Sequence, residues 1–158
     1  IQRQSVIRVR AGKIKIGIEG GFLMFLVYLA GKIHGLTQEE ANNWRKEASE
    51  LFNRAGIKTH NPLNGFTVDG QYEPQEIVTR NKYYIDKSDL ILAEMDFREP
   101  SIGTIGEIIC AYTKGKPVIT WGLAEYNKRP WIKAHVTKHF KTLNDAIDYI
   151  IAAYGVVK

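Results

Sequence analysis

A chain of 158 residues, 44% hydrophobic and 25% charged, has the size and make-up of one folded globular domain, which excludes disordered and fibrous classes. Its formal charge of +5 is concentrated at the start: Arg3, Arg8, Arg10, Lys13 and Lys15 precede the first acidic residue, Glu19, while residues 24–158 carry 17 basic against 16 acidic side chains. That balance excludes a broad basic surface for a nucleic-acid polymer over the body of the protein. Residues 1–23 are expected to be a basic extension, solvated or lying upstream of a natural start at Met24.

The apolar stretch from Gly20 to Gly31 is shorter than the roughly 20 residues of a membrane-spanning helix, so no membrane partner is expected. Within it, Met24 to Ala30 forms a continuous apolar run ending at Gly31, the pattern of a strand covered on both faces in a parallel sheet. Thr37-Gln-Glu-Glu40 has capping-box spacing. Ala41, Trp44, Ala48, Leu51, Phe52 and Ala55 then recur at helical intervals up to a stop at Gly56. A second strand is predicted over Ile57 to His60, closed by Asn61-Pro62. A polar loop follows to Tyr72, and Pro74 opens a helix running to about Ser88. Leu90 to Met95 is a third strand. A loop containing Pro100 and Gly103 leads into a helix from Thr104 to Lys114, ended by Gly115. Pro117 to Trp121 is a fourth strand, Val136 to Phe140 a weaker fifth, and Thr142 to Ile151 a last amphipathic helix.

Strands alternating with helices at this spacing imply an α/β fold, a doubly wound parallel sheet of about five strands with helices on both faces. Ligands bind such sheets beyond the carboxyl ends of the strands, at the point where strand order reverses. Three loops meet there: Gly31 to Thr37, Asn61 to Gln71, and Asp96 to Glu107. The single cysteine, Cys110, allows no internal disulfide and no multi-cysteine metal site, which fits a reducing, cytoplasmic setting. His34, His60, His135 and His139 lack the spacing of a metal set. Dinucleotide, P-loop, zincin and nucleophile-elbow patterns are absent. Glu107 stands out, at the head of a helix whose positive dipole end favours an ionised carboxylate. A carboxylate there can attack an anomeric carbon, although the same placement also serves simple dipole compensation. Trp121 and Trp131 could stack on a base or pack in the core.

Tyr28-Leu-Ala-Gly31, Asn61-Pro62-Leu63, Ser88-Asp89, Gly103-Thr104-x-x-Glu107 and Gly115-Lys-Pro-Val118, taken in order, resemble the nucleoside 2-deoxyribosyltransferase family over about residues 24–153. The resemblance implies a flavodoxin-like sheet and exchange of a nucleobase on 2′-deoxyribose through a glutamyl-sugar intermediate. Glu107 would be the nucleophile, with Tyr28 beside it and the sugar. Gly31 with Lys32 and His34 would shape the base pocket or meet a phosphate, Asn61 in the second loop and Ser101 would contact the substrate, and Gly103 and Thr104 would let the backbone approach the sugar.

Two departures bear on activity. Asn81 stands where the family usually carries an Asp, and an amide cannot act as an acid, leaving Asp86, one turn on, as a possible substitute. Ser101 stands where transferases of unphosphorylated nucleosides tend to carry an acidic residue. Related 2′-deoxynucleoside 5′-monophosphate N-hydrolases place Ser there, although Gly31-Lys-Ile-His-Gly35 lacks their Arg-containing loop. The transferase reading therefore comes first, with the hydrolase next and a non-catalytic nucleotide-binding module third. The partners implied are a nucleoside or nucleotide and a free nucleobase. Neither cofactor nor metal is implied, because the carboxylate itself would form the covalent bond. The family also implies a homodimer or larger homo-oligomer, with Tyr154 and the tail to Lys158 as candidates for completing a neighbour's pocket.

Overall fold

The computed structural model describes residues 24–155 in full and the backbone of residues 5–10 and 13–18. Five strands, β3 (Leu26–Ala30), β4 (Lys58–His60), β5 (Leu90–Glu94), β6 (Val118–Trp121) and β7 (Lys138–Phe140), form one sheet in the order β4-β3-β5-β6-β7. Every pairing within it is parallel. This is the flavodoxin-like order expected of the chain, reversing between β3 and β5. Preceding it, β1 (Ser5–Arg10) and β2 (Lys13–Ile18) pair antiparallel as a separate two-stranded sheet, with Arg8 opposite Lys15 and Arg10 opposite Lys13. The amino-terminal segment thus has paired backbone of its own, which its basic composition did not suggest.

Helices cover both faces because each presents one apolar stripe. On one face, α1 (Gln38–Arg54) contributes Trp44, Ala48 and Phe52, and α5 (Leu143–Tyr154) contributes Ala146, Ile147 and Ile150, against Val27, Leu29, Leu90, Leu92 and Ile119. On the other, α2 (Pro74–Lys87) and α3 (Ile102–Thr113) pack Ile85, Ile108 and Ala111 on Tyr28, Ala30, Ile91, Ala93 and Val118. Each large apolar side chain so buried contributes about 1.5–3 kcal/mol. All five residues of β5 are buried, as a central parallel strand requires.

The start of α1 is as read from its capping box: Thr37 Oγ1 accepts from Glu40 N at 3.1 Å and Glu40 Oε2 accepts from Thr37 N at 2.8 Å. Gly56 takes a positive φ of 72° just beyond its end, a conformation that glycine adopts without a Cβ clash. Between β6 and β7 lie a short 3-10 helix, η1 (Glu125–Lys128), and a five-residue helix, α4 (Pro130–Ala134), neither of which was expected from the sequence. Among the described residues no helix is long and apolar enough to cross a membrane.

Candidate active site at the strand-order reversal

Where the order reverses, α1 leaves β3 toward one face of the sheet and α3 leaves β5 toward the other, so a crevice opens between the ends of β3 and β5. Glu107 enters it from α3. That helix starts at Ile102, two residues before the expected Thr104, with Ser101 as its N-cap accepting from Thr104 N at 3.4 Å. Glu107 therefore lies in the second turn, where the helix dipole has weakened. Burial outweighs the dipole: it pushes the Glu107 carboxyl up to about 7, against the opposing pull of Tyr28 and Arg45.

Tyr28, fully buried in β3, faces this carboxylate. Burial first and the neighbouring Glu107 second hold its phenol well above the usual tyrosine range. The two groups feel each other electrostatically, yet neither Tyr28 Oη nor Glu107 Oε2 completes a hydrogen bond of ordinary geometry. A carboxyl and a phenol are thus held close with bonding capacity unspent.

Two further ionisable groups lie at the crevice, and neither was singled out in the sequence. Arg45 of α1 is fully buried. Its Nε donates to Leu29 O at 3.3 Å and its Nη2 to Gly31 O at 2.9 Å, while Nη1 donates to Ala41 O. Glu94, at the end of β5, is 9% exposed and its Oε2 has no hydrogen-bond partner. Burial pushes the Glu94 carboxyl up to about 7, with Arg45 pulling it down and Asp96 pushing it further up. Gly31 fits between them because it has no side chain: a Cβ there would lie 2.9 Å from Trp44 Cζ2, 3.0 Å from Glu94 Oε2 and 3.1 Å from Arg45 Nη2. The available signal was a charge inside an apolar pattern, Arg45 within the Ala41-Trp44-Ala48 stripe and Glu94 within an otherwise apolar strand.

The remaining predicted residues divide. Thr104 is buried with Oγ1 unpartnered, and Asn81 of α2 has a buried, unpartnered Oδ1. Gly103 is exposed, with only Ser101 Oγ, at 3.9 Å, near where a Cβ would stand. Lys32 is half-buried with Nζ 5.2 Å from the Phe97 ring centre, and His34 is exposed. Asn61 is engaged at both ends of its amide, Nδ2 donating to Asn42 Oδ1 at 2.6 Å and Oδ1 accepting from Leu63 N at 2.9 Å, so it shapes the second loop. Asp86 is exposed and paired with Lys114 at the far end of α3 from Glu107. Tyr154 stacks on Phe25, ring centres 6.0 Å apart, before the start of β3 and so at the opposite end of the sheet from Glu107. The tail from 156 to 158 lies outside the described residues.

Of the tryptophans, Trp121 packs edge-on to Trp44 in the core, ring centres 5.8 Å apart, whereas Trp131 is 68% exposed beside His135. The structure adds His60, between the Tyr28 and Tyr84 rings at 5.6 and 3.6 Å. Arg80 continues this column, its guanidinium 5.3 Å from the Tyr84 ring and 4.2 Å from that of Phe66, which stacks on Tyr72 at 4.1 Å.

The model of the family described as nucleoside 2-deoxyribosyltransferase matches residues 27–144. Among solved structures, the chain resembles a 2-deoxyribosyltransferase from Bacillus psychrosaccharolyticus, with TM-score 0.65 and 18% identity over 83% of this chain and 96% of that one. A conserved protein of Enterococcus faecalis gives TM-score 0.65 and 17% identity over 82% and 99%. A CMP N-glycosidase from Clostridium botulinum gives TM-score 0.56 and 19% identity over 81% and 96%. At these identities the structural likeness shows the fold. No curated protein matches the sequence.

Proposed function

The chain belongs to the nucleoside 2-deoxyribosyltransferase family, and from that membership we propose that it cleaves the N-glycosidic bond of a 2′-deoxynucleoside and transfers the sugar to another nucleobase, with Glu107 as nucleophile. The observation that carries the reading is the pairing of Glu107 with Tyr28 in the crevice between β3 and β5, at the positions where the family has its nucleophile and its neighbouring aromatic. In the first step a Glu107 carboxylate oxygen attacks C1′. The C1′–N bond breaks, its electron pair leaves with the base, and the base takes up a proton. In the second step the nitrogen of an incoming base attacks C1′, loses its proton and frees the carboxylate. Thr104, Gly103 and Asn81 would border the sugar, and the loop from Gly31 through Lys32 and His34 the base.

A second reading, hydrolysis of a 2′-deoxynucleoside 5′-monophosphate, is favoured by Ser101: it leaves the first turn of α3 without an acidic side chain, and helix N-termini accept phosphate. Water would then take the place of the second base. The CMP N-glycosidase of similar fold cleaves the same class of bond. We assign the catalytic unit to residues 24–158 and residues 1–23 to a basic extension. A homo-oligomer and a cytoplasmic setting also belong to this proposal. Ile77, Val78 and Tyr83 of α2 and Ile102 and Tyr112 of α3 are exposed large apolar or aromatic residues available for contact with a second copy.

The test is an HPLC time course with deoxyinosine or dIMP, with and without added adenine or cytosine, comparing the protein with Glu107→Ala. New deoxynucleoside formed only with acceptor supports transfer, and free base from dIMP regardless of acceptor supports hydrolysis. Glu107→Ala should lower either activity at least about 1000-fold. Full activity in that variant would remove Glu107 from the chemistry, and binding without turnover in the unaltered protein would leave a nucleotide-binding module.

A further inference from the structure

Two arginines hold the loops after β3 and β4, and they do so in the same way. Each comes from the helix into which its loop leads, Arg45 from α1 and Arg80 from α2. Arg45 Nε donates to Leu29 O at 3.3 Å and its Nη2 to Gly31 O at 2.9 Å, while Nη1 turns to Ala41 O in its own helix. Arg80 Nη1 donates to Pro62 O at 2.8 Å and its Nη2 to Asn64 O. In both cases one guanidinium takes two main-chain oxygens from alternate residues at the root of a loop. The need for such a donor is plain at β3: β4 pairs with it only as far as Tyr28, whereas β3 runs on to Ala30, and main-chain oxygens past the end of β4 need another partner. Farther out the loops rest on lighter contacts, Lys32 Nζ 5.2 Å from the Phe97 ring centre and Val68 N donating to Gln38 Oε1 at 2.9 Å.

We infer that Arg45 and Arg80 are a matched pair of positioning residues, each pinning the root of one loop at the crevice, so that they set how tightly substrate is held rather than how fast it reacts. The fork, not the charge, does the holding. A guanidinium spreads its donors over three nitrogens in one plane, whereas an ammonium carries all of its own on one. Lysine at either position therefore keeps the charge and gives up one of the two oxygens. Arg45 is fully buried. Arg80 is half-buried and also lies against the Phe66 and Tyr84 rings, 4.2 and 5.3 Å from their centres. The roots are thus fixed before substrate arrives and only the tips are left to adjust, which lowers the ordering cost of binding. Because the two arginines hold different loops, loosening one leaves the other in place.

The kinetic half of the inference rests on the reaction proposed above, and the other half is read without turnover. In the full chain, amide hydrogen exchange and steady-state kinetics are measured for Arg45→Lys, Arg80→Lys and the double variant. Arg45→Lys is expected to speed exchange across residues 31–36 by about 5-fold or more and to leave residues 62–72 as they were, and Arg80→Lys should do the reverse. Each should raise KM by about 5-fold or more with a smaller fall in kcat, and the two effects should multiply in the double variant. Three results overturn the inference: exchange that quickens equally in both loops, lysine variants that keep the protection and KM of the unaltered protein, or a kcat that falls more than KM rises. If Arg45→Lys does not fold, NMR of the unaltered protein still tests that site. The Arg45 Nε–H signal should exchange with water far more slowly than those of exposed arginines, and equal rates would overturn the pinning. Loops that loosen one at a time in a chain without glycosyl transfer or hydrolysis would count against the proposed reaction and leave the pinning standing.

Discussion

Asn81 is the residue whose chemistry departs most from what the proposed reaction requires. A departing nucleobase carries the electron pair of the C1′–N bond and needs a proton, which an amide can approach but cannot give. Its Oδ1 is buried and unpartnered, so a carboxyl oxygen would find the same space with no bond to break. Asn81→Asp is therefore expected to raise kcat by about 10–100-fold and to add an ionisation to the pH profile of kcat, read by steady-state assay. An unchanged kcat would mean that the proton reaches the base by another route. Glu107 and Tyr28 were legible because each stands in a spaced, ordered motif. Arg45 and Glu94 were not, because what brings them together, close packing around Gly31, joins residues far apart in sequence. Glu107 also shows where local reasoning misleads: helix position argued for easy ionisation, and burial reversed the sign.

At the level of elements, the five parallel strands and the helices that cover them could be read from apolar periodicity and caps, with ends displaced by a few residues. The start of α3 moved to Ile102 because Ser101 caps it, and η1 and α4 were too short to show a period. What no period could announce is the column of rings and cations that ties the second loop to the sheet. Arg80 donates to Pro62 O at 2.8 Å and to Asn64 O, while its guanidinium lies between the Phe66 and Tyr84 rings. Tyr84 stacks on His60, and His60 on Tyr28. Arg80→Ala removes both hydrogen bonds and both cation–π contacts, so it should cost about 2 kcal/mol in urea unfolding. It should also speed limited proteolysis between residues 64 and 72 and raise KM more than it lowers kcat. Unchanged cleavage in that loop would show that the loop is held by its own contacts, such as Val68 N donating to Gln38 Oε1 at 2.9 Å.

Over the whole molecule, the buried ionisable groups pull stability in opposite directions with pH. His60 is pushed down to about 4 by burial and Arg80, and burial also lowers His139. The folded state therefore binds fewer protons at these two rings, and their contribution is lost as pH falls below the unfolded value of about 6.5. Glu94 and Glu107 are raised from 4.5 to about 7. For them the folded state binds more protons, so stability is lost as pH rises from 4.5 to 7 and stays lost above it. The two sets oppose each other in the same window, which flattens the profile of the intact protein and conceals what the active site costs. Glu107→Gln exposes it, because an amide of the same shape has no proton to lose. The variant should melt at the same temperature as the unaltered protein near pH 4.5. At pH 8 it should gain about 1–2 kcal/mol, or roughly 3–6 °C, with turnover abolished. Calorimetry at the two pH values decides the matter: an equal gain at both would assign the effect to packing, and no gain at pH 8 would mean that Glu107 ionises without strain. A gain confined to high pH would identify the ionised carboxylate as a state the fold opposes and the reaction needs, a trade of stability for activity at one side chain.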